Sequence, residues 1–272
     1  MTDAEFARFR LLIERETGIH VSDSKRALLV SRFGRQLRRL GLETYDQYYE
    51  VIVTGSTEER QTFVDAICTN ETRFFREPRQ FEFLRNECIP LWRRQAEEGR
   101  RLPHLRIWSA ACSTGEEPYS LSMVLTDLLP STEEWDVRVV ATDLSTRALE
   151  AARAGVWSIT HSKDIPHDYL RRFMLRGIRG RNGIMAATTD IRASITFGQH
   201  NLTSDHHDLG MRFDAIFCRN VLIYFDGQTR ANVVRRLLRH LVPGGYLFLG
   251  HAETLNGMDG IPRAAVPNVY VK

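Results

Sequence analysis

The stretch that most constrains the fold runs Ile107-Trp108-Ser109-Ala110-Ala111-Cys112-Ser113-Thr114-Gly115-Glu116-Glu117-Pro118. Leu105 to Trp108 reads as a short buried strand, and Ser109 to Gly115 are all small. A backbone can turn sharply there, and a ligand can approach it closely. Pro118 suits the first turn of a helix, where its missing N–H would be unpaired anyway. Leu121, Val124, Leu125, Leu128 and Leu129 then recur at helical spacing. Strand, tight turn and helix in this order bind nucleotides at the carboxyl edge of an open α/β sheet.

The turn is not G-x-G-x-x-G: Ala111 and Ser113 are small but Gly115 is its only glycine, and no Lys follows to make a phosphate loop. Two carboxylates at the helix start, Glu116 and Glu117, oppose a pyrophosphate but suit a ligand with a cationic group. S-adenosylmethionine, with its ammonium and sulfonium, is such a ligand. An ordinary turn whose acidic residues complement the helix dipole is the alternative at this point.

Downstream, Val137 to Ala141 reads as a strand and residues 146–154 as a helix. Phe213 to Cys218 is a strand, Ala231 to Leu241 a helix, and Tyr246 to Leu249 and Val269 to Val271 are strands. Alternation of this kind implies a mostly parallel sheet over residues 105–272. Residues 175–198 interrupt it with Gly177, Gly180, Gly183 and the runs Ile184-Met185-Ala186-Ala187 and Ile195-Thr196-Phe197. They read as a small antiparallel β-subdomain inserted in the α/β domain.

Upstream, residues 1–69 read as an all-helical domain. Phe6, Phe9, Leu12 and Ile13 form one apolar face, closed by Gly18. Ser22 is placed to cap a second helix burying Leu28, Leu29, Phe33, Leu37 and Leu40, and Gly41 ends it. Thr44 and Gly55 bracket a third helix, and Phe63, Val64 and Ile67 belong to a fourth. Residues 70–104 form a linker and a connecting helix, with the charged run Arg93 to Arg101 as a surface turn. The second helix carries Lys25, Arg26, Arg32, Arg35, Arg38 and Arg39 with no acid between Lys25 and Gly41. It is either a solvated face or a docking surface for an acidic partner.

Composition excludes several classes. No apolar run approaches the roughly 18 residues of a membrane span, and the start MTDAEFARFR lacks the apolar core of a signal peptide. Cys68, Cys88, Cys112 and Cys218 are scattered, which suggests reduced thiols in a cytoplasm. His206-His207 is the only histidine pair and H-E-x-x-H is missing, so no metal is expected. A net charge of +3 in 272 residues is too small to imply nucleic-acid binding.

Among single residues, Asp143 ends the second strand about 30 residues beyond the loop, where an acid can accept both ribose hydroxyls of an adenosine. The competing role is an N-cap for the next helix, which Ser145 could fill equally well. Arg219 and Asn220 fall at the carboxyl end of the Phe213–Cys218 strand. Tyr224 follows, and Asn201-Leu202 comes after another candidate strand, where it could touch the adenine.

Taken together, the strings Thr69-Asn70-Glu71-Thr72-Arg73-Phe74-Phe75-Arg76, Trp108 to Ser120, Thr142-Asp143-Leu144-Ser145, Asn201-Leu202, Cys218-Arg219-Asn220-Val221-Leu222-Ile223-Tyr224-Phe225 and Pro243-Gly244-Gly245 resemble the CheR family, the bacterial chemotaxis protein-glutamate O-methyltransferases. The resemblance covers nearly the whole chain. It implies a Rossmann-like S-adenosylmethionine-dependent methyltransferase domain with a β-subdomain, preceded by an all-α domain. The implied activity is esterification of glutamate side chains on chemoreceptors; a cytoplasmic location is expected from the cysteines, and a monomer by default. Carried over by motif position, Asn70, Thr72, Arg76, Glu117, Asp143, Asn201, Leu202, Arg219 and Asn220 line the cofactor site, and Arg76 and Tyr224 lie near the transferred methyl. The helix Lys25–Arg39 docks the receptor, and in some members the β-subdomain tethers a receptor pentapeptide. A nucleic-acid methyltransferase, a small-carboxylate methyltransferase and a non-catalytic cofactor-sensing adaptor are the competing classes. Against the first, Arg219-Asn220-Val221-Leu222 stands where Asn/Asp-Pro-Pro-aromatic would be needed for a flipped base.

Overall fold

The computed structural model describes residues 1–130, 134–204, 209–255, 258, 260 and 262–272. Four helices open the chain: α1 (Asp3–Thr17), α2 (Arg26–Leu40), α3 (Tyr45–Thr54) and α4 (Thr57–Ile67). Thr2 and Thr44 start α1 and α3 with reciprocal caps to Glu5 and Gln47, and α1 and α2 stop at Gly18 and Gly41 in left-handed conformation. The bundle closes on aromatic rings. Phe33 lies 4.8 Å from Phe9 and 5.6 Å from both Tyr48 and Phe63, centroid to centroid.

Two expectations shift here. Ser22 precedes a short 3-10 turn, Asp23–Lys25, and makes no side-chain cap. Leu28, expected inside, is 44% exposed, because the buried line of α2 runs through Leu29 and Phe33, one position round the helix.

The connecting rod consists of α5 (Pro78–Phe83), a π-turn (Leu84–Cys88) and α6 (Ile89–Glu97). Pro90 lacks an N–H and its ring crowds the preceding turn. The wider π-turn accommodates it, with Ile89 N–H donating to the Leu84 carbonyl. Buried Trp92 holds α6, so the helix continues to Glu97 into the run expected to be a surface turn.

The α/β part is built on a seven-stranded sheet. Its strands are β1 (His104–Ala110), β2 (Asp136–Asp143), β6 (Ile195–Gln199), β7 (Phe213–Cys218), β8 (Leu241–Leu249), β9 (Arg263–Val266) and β10 (Val269–Val271), in the order β6-β2-β1-β7-β8-β10-β9. The first five are parallel, and β10 and β9 add an antiparallel edge. Helices α7 (Glu116–Leu128), α8 (Thr146–Ala154) and α11 (Gly227–His240) connect the strands. All six residues of β7 are buried, as expected for a parallel strand covered on both faces. Ile107, Ala215, Phe217 and Phe248 pack on one face, and Trp108, Ile216, Leu247 and Leu249 on the other.

The antiparallel insert differs from its expected span. It consists of β3 (Val156–Ser158), β4 (Met174–Arg176) and β5 (Ile184–Ala187), in the order β3-β5-β4, with α9 (His167–Phe173) before β4. Ile195-Thr196-Phe197 lies in the main sheet instead, where Val139 to Asp143 of β2 pair with Ile195 to Gln199. A three-residue apolar run does not encode which sheet it joins. Val156–Ser158 was not expected as a strand, and Trp157 anchors it against Phe74 and Tyr119. No helix among the described residues is long and apolar enough to cross a membrane.

Candidate cofactor and active site

The chain leaves β1 for β2 on one side and reaches β7 on the other, so a crevice forms at the carboxyl ends of β1, β2 and β7. A cavity occupies it, bordered by Thr17 and Ile19 at the end of α1 and by the segment Cys68–Arg73. The turn after β1 has positive φ at Ala111 (66°), Ser113 (50°) and Gly115 (98°). Left-handed backbone at the two non-glycine residues costs roughly 1–2 kcal/mol each. It aims the backbone at the cavity, where strain of this sort concentrates. At Gly115 a Cβ would sit 2.9 Å from Ala152 Cβ, so α7 and α8 approach each other only with glycine there.

Asp143 closes β2. Its Oδ2 accepts from Ser113 N–H at 2.8 Å and its Oδ1 from Ser145 N–H at 2.9 Å. Ser145 caps α8, accepting from Ala148 N–H at 3.2 Å. The carboxylate thus stitches two loops together and keeps a second lone pair on each oxygen. Burial pushes its pKa up, and the Ser145 and Ser113 amides oppose the rise.

The acidic pair at the start of α7 divides. Glu116 turns away, with Oε2 accepting from Thr114 Oγ1 at 2.6 Å and Oε1 3.5 Å from His161 Nδ1. Glu117 lines the cavity, accepting from Ser109 Oγ at 2.7 Å, with Arg219 Nη1 3.2 Å from its other oxygen. Burial raises the Glu117 pKa and Arg219 opposes it.

The Arg219 side chain is 2% exposed and lies between Glu117 and Glu77, whose Oε2 is 3.5 Å away. Its Nη2 donates to the Arg76 carbonyl. Glu77 also accepts from Asn220 Nδ2 at 3.3 Å and His251 N–H at 3.0 Å. One buried guanidinium therefore faces two carboxylates, of which Glu117 lines the cavity together with Asp143. Ser113 Oγ and Arg219 Nε are buried without a hydrogen-bond partner among the described residues. Such a site has unmet demand for polar groups.

Asn70, Thr72, Arg76, Glu117, Asp143, Asn201, Leu202, Arg219, Asn220 and Tyr224 all border this one cavity. Asn70 Nδ2 donates to Ser145 Oγ at 3.4 Å, and Arg76 Nη1 to the Glu71 carbonyl at 3.2 Å. Asn201 uses much of its amide locally. Its Oδ1 accepts from Thr203 N–H and Oγ1 at 3.0 and 2.7 Å, and its Nδ2 donates to the Glu16 carbonyl at 3.0 Å. Tyr224 stands at the rim, where Lys25 Nζ lies 5.4 Å from its ring centroid and His20 N–H donates to its carbonyl at 2.8 Å. Sequence reasoning missed Glu77, one residue past a motif, and Glu253, which no local signal marks. Among the described residues no group of His, Cys, Asp and Glu is arranged to hold a metal; His206 and His207 lie outside them.

The α2 arginines do not act alike. Arg32 donates to the Ile67 carbonyl and to Thr69 Oγ1, the latter at 3.0 Å, fixing the end of α4 beside the cavity. Arg26 pairs with Asp3 at 2.6 Å and Arg39 with Glu59 at 2.5 Å. Arg35 and Arg38 are exposed and make no ion pair among the described residues.

Comparison with known proteins accounts for both halves of this arrangement. The family described as "CheR methyltransferase, SAM binding domain" matches residues 70–266, and "CheR methyltransferase, all-alpha domain" matches residues 4–68. The chain is 36% identical over 261 residues to a chemotaxis protein methyltransferase of Salmonella typhimurium, covering 95% of this chain and 86% of that one. It is 38% identical over 269 residues to chemotaxis protein methyltransferase 2 of Pseudomonas aeruginosa, covering 99% and 93%. The four-helix unit, the crevice and the extent of these matches agree, and the chain belongs to the CheR family of chemotaxis methyltransferases.

Proposed function

We propose that this methyltransferase moves a methyl group from S-adenosylmethionine to glutamate side chains of chemoreceptors, giving glutamyl methyl esters. The observation that carries the reading is a cavity wall in which Asp143 and Glu117 stand with the buried Arg219 guanidinium, itself also paired with Glu77, opening at Tyr224 beside a basic helix. The wall fits the cofactor: Asp143 has lone pairs for ribose hydroxyls, and Glu117 suits its positive groups. Asn70, Thr72, Arg76, Asn201, Leu202, Arg219 and Asn220 complete the enclosure. When bound, the cofactor supplies an electrophilic methyl on a sulfonium.

The residues at the rim have a limited task. A glutamate side chain, with a pKa of about 4.3, is ionised at neutral pH and needs no general base. It must be held in line and kept from water, and good alignment is worth roughly 7–11 kcal/mol. The Tyr224 hydroxyl can donate to one carboxylate oxygen and leave the other free. Arg76 and Arg73 at the mouth draw the anion in. On α2, Arg35 and Arg38 have the exposure needed to meet the acidic stripe of a receptor helix.

The test is transfer of radiolabelled methyl to chemoreceptor-containing membranes. Base-labile label on a receptor band is expected. No transfer, with tight cofactor binding intact, would reject the receptor as substrate. Tyr224→Phe should lower kcat about tenfold to a hundredfold with cofactor affinity retained; full turnover would remove Tyr224 from the mechanism.

A further inference from the structure

The turn that carries Arg219, Asn220 and Tyr224 leaves β7 without regular structure to hold it. Asn220 is left-handed (φ 58°), and only a three-residue 3-10 turn, Leu222–Tyr224, follows. Glu253 reaches it from beyond the end of β8. This side chain is 4% exposed and makes no ion pair among the described residues. Its Oε2 accepts from Gly250 N–H at 2.6 Å and Asn220 N–H at 2.8 Å. Its Oε1 accepts from Leu222 N–H at 2.7 Å and Ile223 N–H at 3.3 Å. Four backbone donors, three of them in the turn, converge on one buried carboxylate.

The rest of the neighbourhood is built around that contact. A Cβ on Gly250 would lie 2.7 Å from both Asn220 N and Glu253 Oε2, so the two chain segments meet only across a glycine. Asn268 Nδ2 donates to the Gly250 carbonyl at 2.8 Å and to the Glu253 carbonyl, and Leu255 N–H donates to Tyr270 Oη at 3.1 Å. The β9–β10 edge thus fixes the segment that fixes the turn.

We propose that Glu253 is the positioning residue that sets the Arg219–Tyr224 turn for methyl transfer. It touches neither cofactor nor acceptor. Ionised hydrogen bonds to N–H groups are the strong kind, and they hold Asn220 in its left-handed state and Tyr224 at the rim. Arg219 needs the clamp less, since Glu77, Glu117 and the Arg76 carbonyl hold it separately. The inference rests on the reading of Tyr224 and Asn220 given above.

Glu253→Gln keeps the side chain's size but turns an NH2 toward two backbone donors. In the full-length protein we expect kcat to fall about tenfold to a hundredfold, as for a small misplacement of reacting groups. The cofactor dissociation constant should rise no more than about threefold, and amide exchange should accelerate selectively at Asn220, Leu222 and Ile223. A folded Glu253→Gln enzyme within twofold of the parent kcat overturns the proposal. Should that variant not fold, exchange in the unaltered protein decides: those three amides must be protected, and exchange at free-loop rates overturns it. Tyr224→Phe, assayed alongside, separates the two claims. Full activity there with loss in Glu253→Gln sinks the tyrosine role and keeps the clamp; the reverse pattern sinks the clamp alone.

Discussion

The cavity wall and helix α2 are both rich in charge, yet they hold it differently. In the wall, Asp143, Glu117 and Arg219, with Glu77 set against Arg219, are each engaged by another part of the chain before any ligand arrives. On α2, Arg26, Arg32 and Arg39 serve the helical domain itself, whereas Arg35 and Arg38 project from it unpaired among the described residues. Burial accounts for the contrast. A charge out of water must be compensated from within, so the wall is a fixed network. A solvated charge needs no partner, so the helix can keep some free for an encounter.

The sharpest way to break this contrast is to remove the cation of the wall. Arg219→Met strands two buried carboxylates, and loss of one partner from such a cluster costs about 3–5 kcal/mol. A drop in Tm on the order of 10 °C and loss of S-adenosylmethionine binding by calorimetry are expected. An unchanged Tm would mean the wall is wetter and looser than its distances indicate.

A second, smaller effect follows from Asp143 and Glu117, whose pKa values burial raises. Between the unfolded values, about 3.9 and 4.3, and the raised folded values, the folded protein binds more protons than the unfolded chain. Their contribution to stability is therefore greatest at the acidic end and is lost as pH rises through the folded values. A ligand that brings positive charge or hydroxyl donors favours the ionised forms. The Tm increment given by S-adenosylmethionine should grow as pH rises out of the ordinary carboxylate range, and Asp143→Asn should flatten that growth and weaken binding. An increment independent of pH in the parent would show that these carboxyls are not the ones meeting the ligand.

How much of this was legible beforehand differs along the same lines. The α/β alternation, the four helices and the residues bordering the cavity could be read because they rest on periodicity and on compact motifs. Asp143 and Ser145 sit two apart, and their division of labour, cap and stitch, follows from local chemistry. Glu253 could not be read, since its partners Asn220, Leu222 and Ile223 lie 33, 31 and 30 residues away and nothing in H-A-E-T-L announces them. The placement of Ile195–Gln199 beside β2 and the partners of Arg32 failed for the same reason: strand pairing and surface charge pairing are decided in three dimensions.

The smallest effects on stability, and the finest test of the comparison, lie within α2. Arg35→Glu with Arg38→Glu should leave Tm and cofactor affinity unchanged, since exposed substitutions of this kind usually stay within about 0.5 kcal/mol. Receptor methylation should slow about tenfold at low salt and recover as salt screens the encounter. Arg32→Ala should do the opposite. The Ile67 carbonyl and Thr69 lose a charged donor, worth roughly 1.5–3 kcal/mol, and the loss should be insensitive to salt and felt in cofactor binding, because Thr69 borders the cavity. If the two variants gave the same salt-dependent defect, the arginines would form a single docking face, and the division between those that hold the domain and those that meet a partner would have to be given up.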